Sequence, residues 1–211
     1  MTTKIRRENV KELAKYLELF EAFHKWFIKQ PNYRITWQCC PRGEWLLNLC
    51  EELGADSKLM VRAACDCARI ALPHVPKGED RPRIAIETAE SLCDGRATIE
   101  QVRAAADAAD AAADATYAAY APCITARAAT YAARAATCAA RADDAISTTY
   151  YAAEAIVYAA EAAEAIVYAA EAVDADSYDK AQAELADIVR ARIPWSVVRD
   201  AIAKKRKELG L

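Results

Sequence analysis

Apolar residues recur at steps of three and four through "ENVKELAKYLELFEAFHKWFIKQP", at Val10, Leu13, Leu17, Phe20, Phe23 and Phe27, ahead of Pro31. That period predicts one amphipathic helix buried along the stripe and closed by the proline. The connector "NYRITWQCCPRG" has room for one short extended piece. Two short helices follow, "EWLLNLCEELG" stopping at Gly54 and "DSKLMVRAACDCARIALP" stopping at Pro73. The stretch "HVPKGEDRP" reads as a loop. In "RPRIAIETAESLCDG" a helix restarts, with Pro82 in its first turn and Gly95 at its C-cap.

From Thr98 the pattern changes. Thr98 and Gln101 have capping-box spacing, and the chain is dominated by Ala from there to about residue 173. Pro122 cannot sit in a helix interior, so the tract is expected to kink or reverse there. Asp107, Asp110 and Asp114 follow steps of three and four, which places them in one acidic stripe. Arg127, Arg134 and Arg141 repeat every seven residues with Ala at the seam, a coiled-coil-like register. Two readings of the acidic stripe stand: an interhelical ion ladder with Arg127 and Arg134 if the chain reverses at Pro122, or an acidic surface for a basic partner.

The segment "YAAEAIVYAAEAAEAIVYAAEA" can be divided by angle, at about 100° per residue. Tyr151, Glu154, Tyr158, Glu161, Glu164, Tyr168 and Glu171 share one side, while Ile156, Val157, Ile166, Val167 and Val173 lie opposite. The Ile/Val side is the expected core face. Tyr and Glu on a stiff Ala backbone suit a protein interface, and they suit equally a face packed on a neighbouring helix. Beyond the tract, "SYDKAQAELADIVRARIP" and "WSVVRDAIAKKRKELG" are ordinary amphipathic helices separated by Pro194. The pattern as a whole predicts an all-α protein. It comprises a compact multi-helix module over 1–95, a long Ala-rich helical hairpin or arm over 96–175, and C-terminal helices over 176–211 packing on the first module.

Composition narrows function more than fold. The 211 residues include five Gly and seven Pro, little punctuation for hairpins, and a hydrophobic fraction of 55% that leans on Ala. Lys and Arg number 28 against 31 Asp and Glu, a formal charge of -3. No global basic field favours direct nucleic-acid or membrane binding. Eight cysteines, with Cys39 beside Cys40 and Cys65 two before Cys67, read as reduced thiols of a cytoplasmic protein. "MTTKIRRENV" does not resemble a signal peptide, and no apolar run is long enough to span a membrane.

Chemistry-bearing constellations are sparse. His24 and His74 fall in different elements, and the clustered cysteines lack a C-x-x-C knuckle, so neither a metal nor a cofactor is expected. No phosphate loop, nucleophile elbow or zincin motif occurs, and the chain is expected not to be an enzyme. Lys204, Lys205, Arg206 and Lys207 complement a helix C-terminus on a solvated face, with a nucleic-acid contact as the alternative reading. Arg81, Arg83, Arg127 and Arg134 are the candidates for a convergent basic pocket, should the chain instead sequester a nucleotide-like signal. A purely structural helical role is the third class.

"EWLLNLCEELGA", then "RAACDCARIALPHVPKGEDRPRIAIETAESLCDG", then repeated Ala with periodic Tyr, resembles the immunity-protein-five-like family, immunity proteins of bacterial polymorphic toxin systems also carried by phages. The resemblance spans roughly residues 44–173 and is most specific from Ala64 to Pro73 and from Asp80 to Ala89. It implies a non-enzymatic intracellular protein that neutralises a protein toxin or defence effector by occlusion, in a phage an inhibitor of a bacterial defence system. The face from Tyr151 to Glu171 is the first candidate contact surface, and Asp107, Asp110 and Asp114 are the second. The sequence leaves oligomeric state open.

Overall fold

The computed structural model describes residues 10–115 and 177–211. The turn at Pro122, the Arg heptads and the Tyr/Glu face lie outside the described residues. Among those described, the fold is all helical: α1 (Val10–Ala14), α2 (Glu21–Phe27), α3 (Tyr33–Cys39), α4 (Gly43–Glu52), α5 (Ser57–Ala71), α6 (Arg81–Cys93), α7 (Ile99–Ala115), α8 (Ser177–Arg192) and α9 (Trp195–Glu208). A 3-10 turn, Leu72–His74, follows α5.

Local signals set most of these boundaries. Asp56 caps α5 by accepting from the Lys58 N–H at 2.9 Å. The α7 capping box is complete: the Thr98 N–H donates to Gln101 Oε1 at 2.8 Å, and the Gln101 N–H to Thr98 Oγ1 at 3.3 Å. Gly95, with φ of 74°, follows α6 in the left-handed conformation that suits a helix end.

Two elements depart from the sequence pattern. The single N-terminal helix expected from the apolar stripe is broken into α1 and α2, and Phe20, expected on the buried face, is 48% exposed. Side chains of α4 satisfy backbone groups in the break. The Glu18 N–H donates to Glu52 Oε2 at 2.8 Å, and the Phe20 N–H to Asn48 Oδ1 at 3.1 Å. Buried Asn48 thereby offers the backbone an alternative to another helical turn, while Leu17, Phe23 and Phe27 still reach the core. The second departure is the connector, which is helical rather than extended over α3. Asn32 accepts from the Ile35 N–H at 2.9 Å, and Tyr33, Thr36 and Trp37 form a buried stripe at steps of three and four.

Helix α5 runs through the middle of the fold, between α6 on one side and α8 on the other, and α8 also packs on α4. The buried residues of α5 are mostly small, Ala63, Ala64, Cys65, Cys67 and Ala68, which lets its neighbours approach closely. Helix α7 lies against α6 through Val102, Ala105, Ala106 and Ala109. One continuous hydrophobic core extends from Val10 in α1 to Ile202 in α9, and residues of α7 and α8 belong to it. Within it Phe23 stacks on Trp45 at 5.3 Å and meets Phe27 edge-on at 5.6 Å.

Candidate functional site

Helix α7 carries the part of the predicted contact surface that the structure describes. Its buried stripe of Ala105, Ala106, Ala109, Ala112 and Ala113 fixes the helix rotation. Asp107 and Asp114 consequently emerge exposed, with Asp110 half-buried between them. The three carboxylates share one flank, as the spacing implies on a 3.6-residue helix. Tyr151, Glu154, Tyr158, Glu161, Glu164, Tyr168 and Glu171 lie outside the described residues, as do Arg127 and Arg134.

The described half of the basic set imagined for a nucleotide signal does not converge. Arg81 is engaged by Glu79 through Nε at 2.7 Å and through Nη2. Arg83 bridges Asp80 and Glu87, each at 3.0 Å. These are local pairs across the loop before α6 and its first turns.

Cys40, Cys50, Cys65 and Cys67 are buried and held protonated. Burial pushes Cys40 and Cys50 each up to about 12, and raises Cys65 and Cys67 well above the ordinary thiol range. Cys39 alone of the described cysteines is exposed. Among the described residues, no three His, Cys, Asp or Glu side chains gather as a metal ion would require. No described helix is long and apolar enough to cross a membrane.

Charged groups instead tie the helices together. Arg192 of α8 pairs with Asp66 of α5 at 2.6 Å, Asp66 also faces Arg69, and Arg69 grips Glu90 of α6 through both guanidinium nitrogens. The chain fixes the register of three adjacent helices. Arg190 donates to the carbonyls of Trp37 and Cys40 at 3.3 and 2.8 Å, satisfying groups at the C-terminal end of α3 from a helix far away in sequence.

Half-buried Glu51 has a proton affinity unusual for a carboxylate. Burial, then the neighbouring Glu52, and to a smaller extent Glu18, raise it from 4.5 to about 7, against the opposing hydrogen bond from Asn48. The folded state therefore holds a proton that the unfolded chain releases above 4.5. The stability that Glu51 contributes is accordingly fully present below that value and is lost as pH rises through the folded value near 7. Glu51→Gln removes the titration, so the variant should match the wild type under acidic conditions and exceed it by about 1–2 kcal/mol above neutrality, allowing for solvent screening. Urea unfolding across this range measures the difference, and parallel curves for the two proteins would refute it.

A cleft that the sequence did not announce lies between α3 and α9. Tyr33, Trp195, Arg199, Ile202, Ala203 and Arg206 line it, and its volume is about 180 Å³. The spacing of Trp195, Arg199, Ile202 and Arg206 could have flagged one mixed aromatic and basic face of α9. Nothing local could have placed Tyr33 opposite.

Comparison with protein-family models, curated proteins and solved structures gives no match to this chain.

Proposed function

We propose that the chain is a non-enzymatic inhibitor that binds a protein toxin or defence effector and neutralises it by occlusion. The observation that carries this reading is the acidic flank of α7. Asp107, Asp110 and Asp114 sit on a helix whose rotation is set by a buried Ala stripe, so the carboxylates are presented from a rigid element. Such a surface complements a basic groove, of the kind a nuclease uses to hold nucleic acid, and opposite charge raises association rate and excludes wrong partners. The Tyr and Glu residues from Tyr151 to Glu171 would extend it with aromatic anchors.

The test is affinity capture from the native host, followed by neutralisation of the captured protein's activity. Wild type is expected to retain a basic protein and inhibit it at one-to-one stoichiometry. Asp107→Lys with Asp114→Lys should lose the complex by roughly tenfold or more, because like charge across an interface is strongly unfavourable. A doubly reversed protein that keeps its helical spectrum and still inhibits equally well would sink the acidic-face reading.

A further inference from the structure

We propose that the cleft between α3 and α9 binds a small anion built on a single planar aromatic ring, its phosphate held by Arg199 and Arg206. The site is independent of the acidic flank on α7. Four of its residues, Trp195, Arg199, Ile202 and Arg206, recur on α9 at steps of four, three and four, so they form one face. The two arginines stand two helical turns apart, about 10 Å along the axis. Ile202, 6% exposed, and Ala203 make an apolar floor between them. Trp195 continues that face one turn earlier, and Tyr33 contributes its ring from the first turn of α3 although only 3% of its surface is exposed.

Each part has a chemical counterpart in the ligand. A guanidinium presents planar paired donors to phosphate oxygens, a geometry Lys does not offer. The half-buried Trp195 indole accepts another ring by offset stacking or edge contact, while Tyr33, packed on Phe27, walls the cleft. The chain carries a net charge of -3, yet α9 holds Arg199, Lys204, Lys205, Arg206 and Lys207 against only Asp200 and Glu208. An anion is thus drawn to this end of an otherwise acidic molecule.

Arg199 meets Asp200 at 2.8 Å, but both side chains are more than 60% exposed, and pairs so wet are readily exchanged for a ligand. Among the described residues the Arg206 guanidinium has no carboxylate partner. Size sets the ligand class. At about 180 Å³ the cleft is smaller than the pockets of roughly 300 Å³ and above that enclose drug-sized molecules, so it suits one ring and one anionic group, not a dinucleotide.

Phenyl phosphate is the first probe, followed through the indole N–H signals of the four tryptophans in proton–nitrogen correlation spectra. The Trp195 signal is expected to shift saturably, with inorganic phosphate and phenol each binding at least about tenfold more weakly than the joined molecule. Arg206→Gln and Arg199→Gln should each weaken phenyl phosphate by about tenfold. Lys204→Gln makes the same charge change on the same helix outside the cleft and should leave binding unchanged.

Uridine monophosphate forms a second arm. Its ribose makes it larger than one ring and one anionic group, so tighter binding than phenyl phosphate overturns the size assignment, whereas weaker binding is expected and supports the cleft. Absence of saturation at Trp195, undiminished binding by Arg206→Gln, or an equal loss with Lys204→Gln overturns it. Because the α7 charge reversals leave this cleft untouched, the cleft and the protein-inhibitor reading can fail separately.

Discussion

Trp37→Ala is expected to destabilise the protein by about 3–5 kcal/mol, the largest effect of any single truncation considered for this fold. Trp37 is the bulkiest of the fully buried side chains, at 2% exposure. Its loss would leave a cavity that the surrounding helices close only in part, adding to the lost transfer energy of the indole. Helix α3 has seven residues, too few to persist alone, so its survival depends on tertiary contacts.

Those contacts are specific. Tyr33 and Thr36 share the buried face with Trp37, and Arg190 holds the carbonyls of Trp37 and Cys40. A loosened α3 would release Arg190 and carry Tyr33 away from α9, so the variant should also lose the Trp195 response to phenyl phosphate. Urea unfolding with an unchanged slope measures the stability difference. A loss below about 1 kcal/mol would contradict the burial of Trp37, because full truncation of a core Trp does not come so cheaply.

Ala109→Leu should be the other severe change, for the opposite reason. Ala109 is 0% exposed on the stripe of α7 that lies against α6, where Ala85 and Ala89 are also fully buried. Small residues there put the two backbones close together, and a branched side chain has no room without moving a helix. The expected cost is about 3 kcal/mol, near the upper end of overpacking effects. Ala111→Leu on the exposed side of α7 is the matched control and should stay within about 0.5 kcal/mol of wild type. Equal thermal shifts for the two variants would mean that α7 is not seated by its Ala stripe, and the rotation that presents Asp107 and Asp114 would lose its basis.

That dependence connects the fold to the proposed inhibitor surface. Exposed α7 carboxylates such as Asp107 contribute little to stability individually, as expected for solvated charges. Their value lies in orientation, which the Ala packing supplies. Stability and partner binding should thus separate at Asp107: Asp107→Lys leaves the unfolding midpoint near wild type while weakening capture, whereas Ala109→Leu lowers both.

The helical class, the ends of α4 to α6, the start of α7, the break at Pro194 and the spacing of the α7 carboxylates were all legible in the sequence. Each rests on neighbours within one or two turns: the Asp56 cap, the Thr98–Gln101 box, the left-handed Gly54 and Gly95, and side chains three and four residues apart. Three features were decided only when distant segments met. Asn48 and Glu52 satisfy the backbone between α1 and α2, so an unbroken apolar period became two helices. Arg190 and the buried partners of Trp37 hold α3 in place of an extended connector. Tyr33 and α9 enclose a cleft that neither has alone. Short-range propensity is written into the order of residues; a hydrogen bond or a ring contributed from across the chain gains its energy only after the core has closed around it.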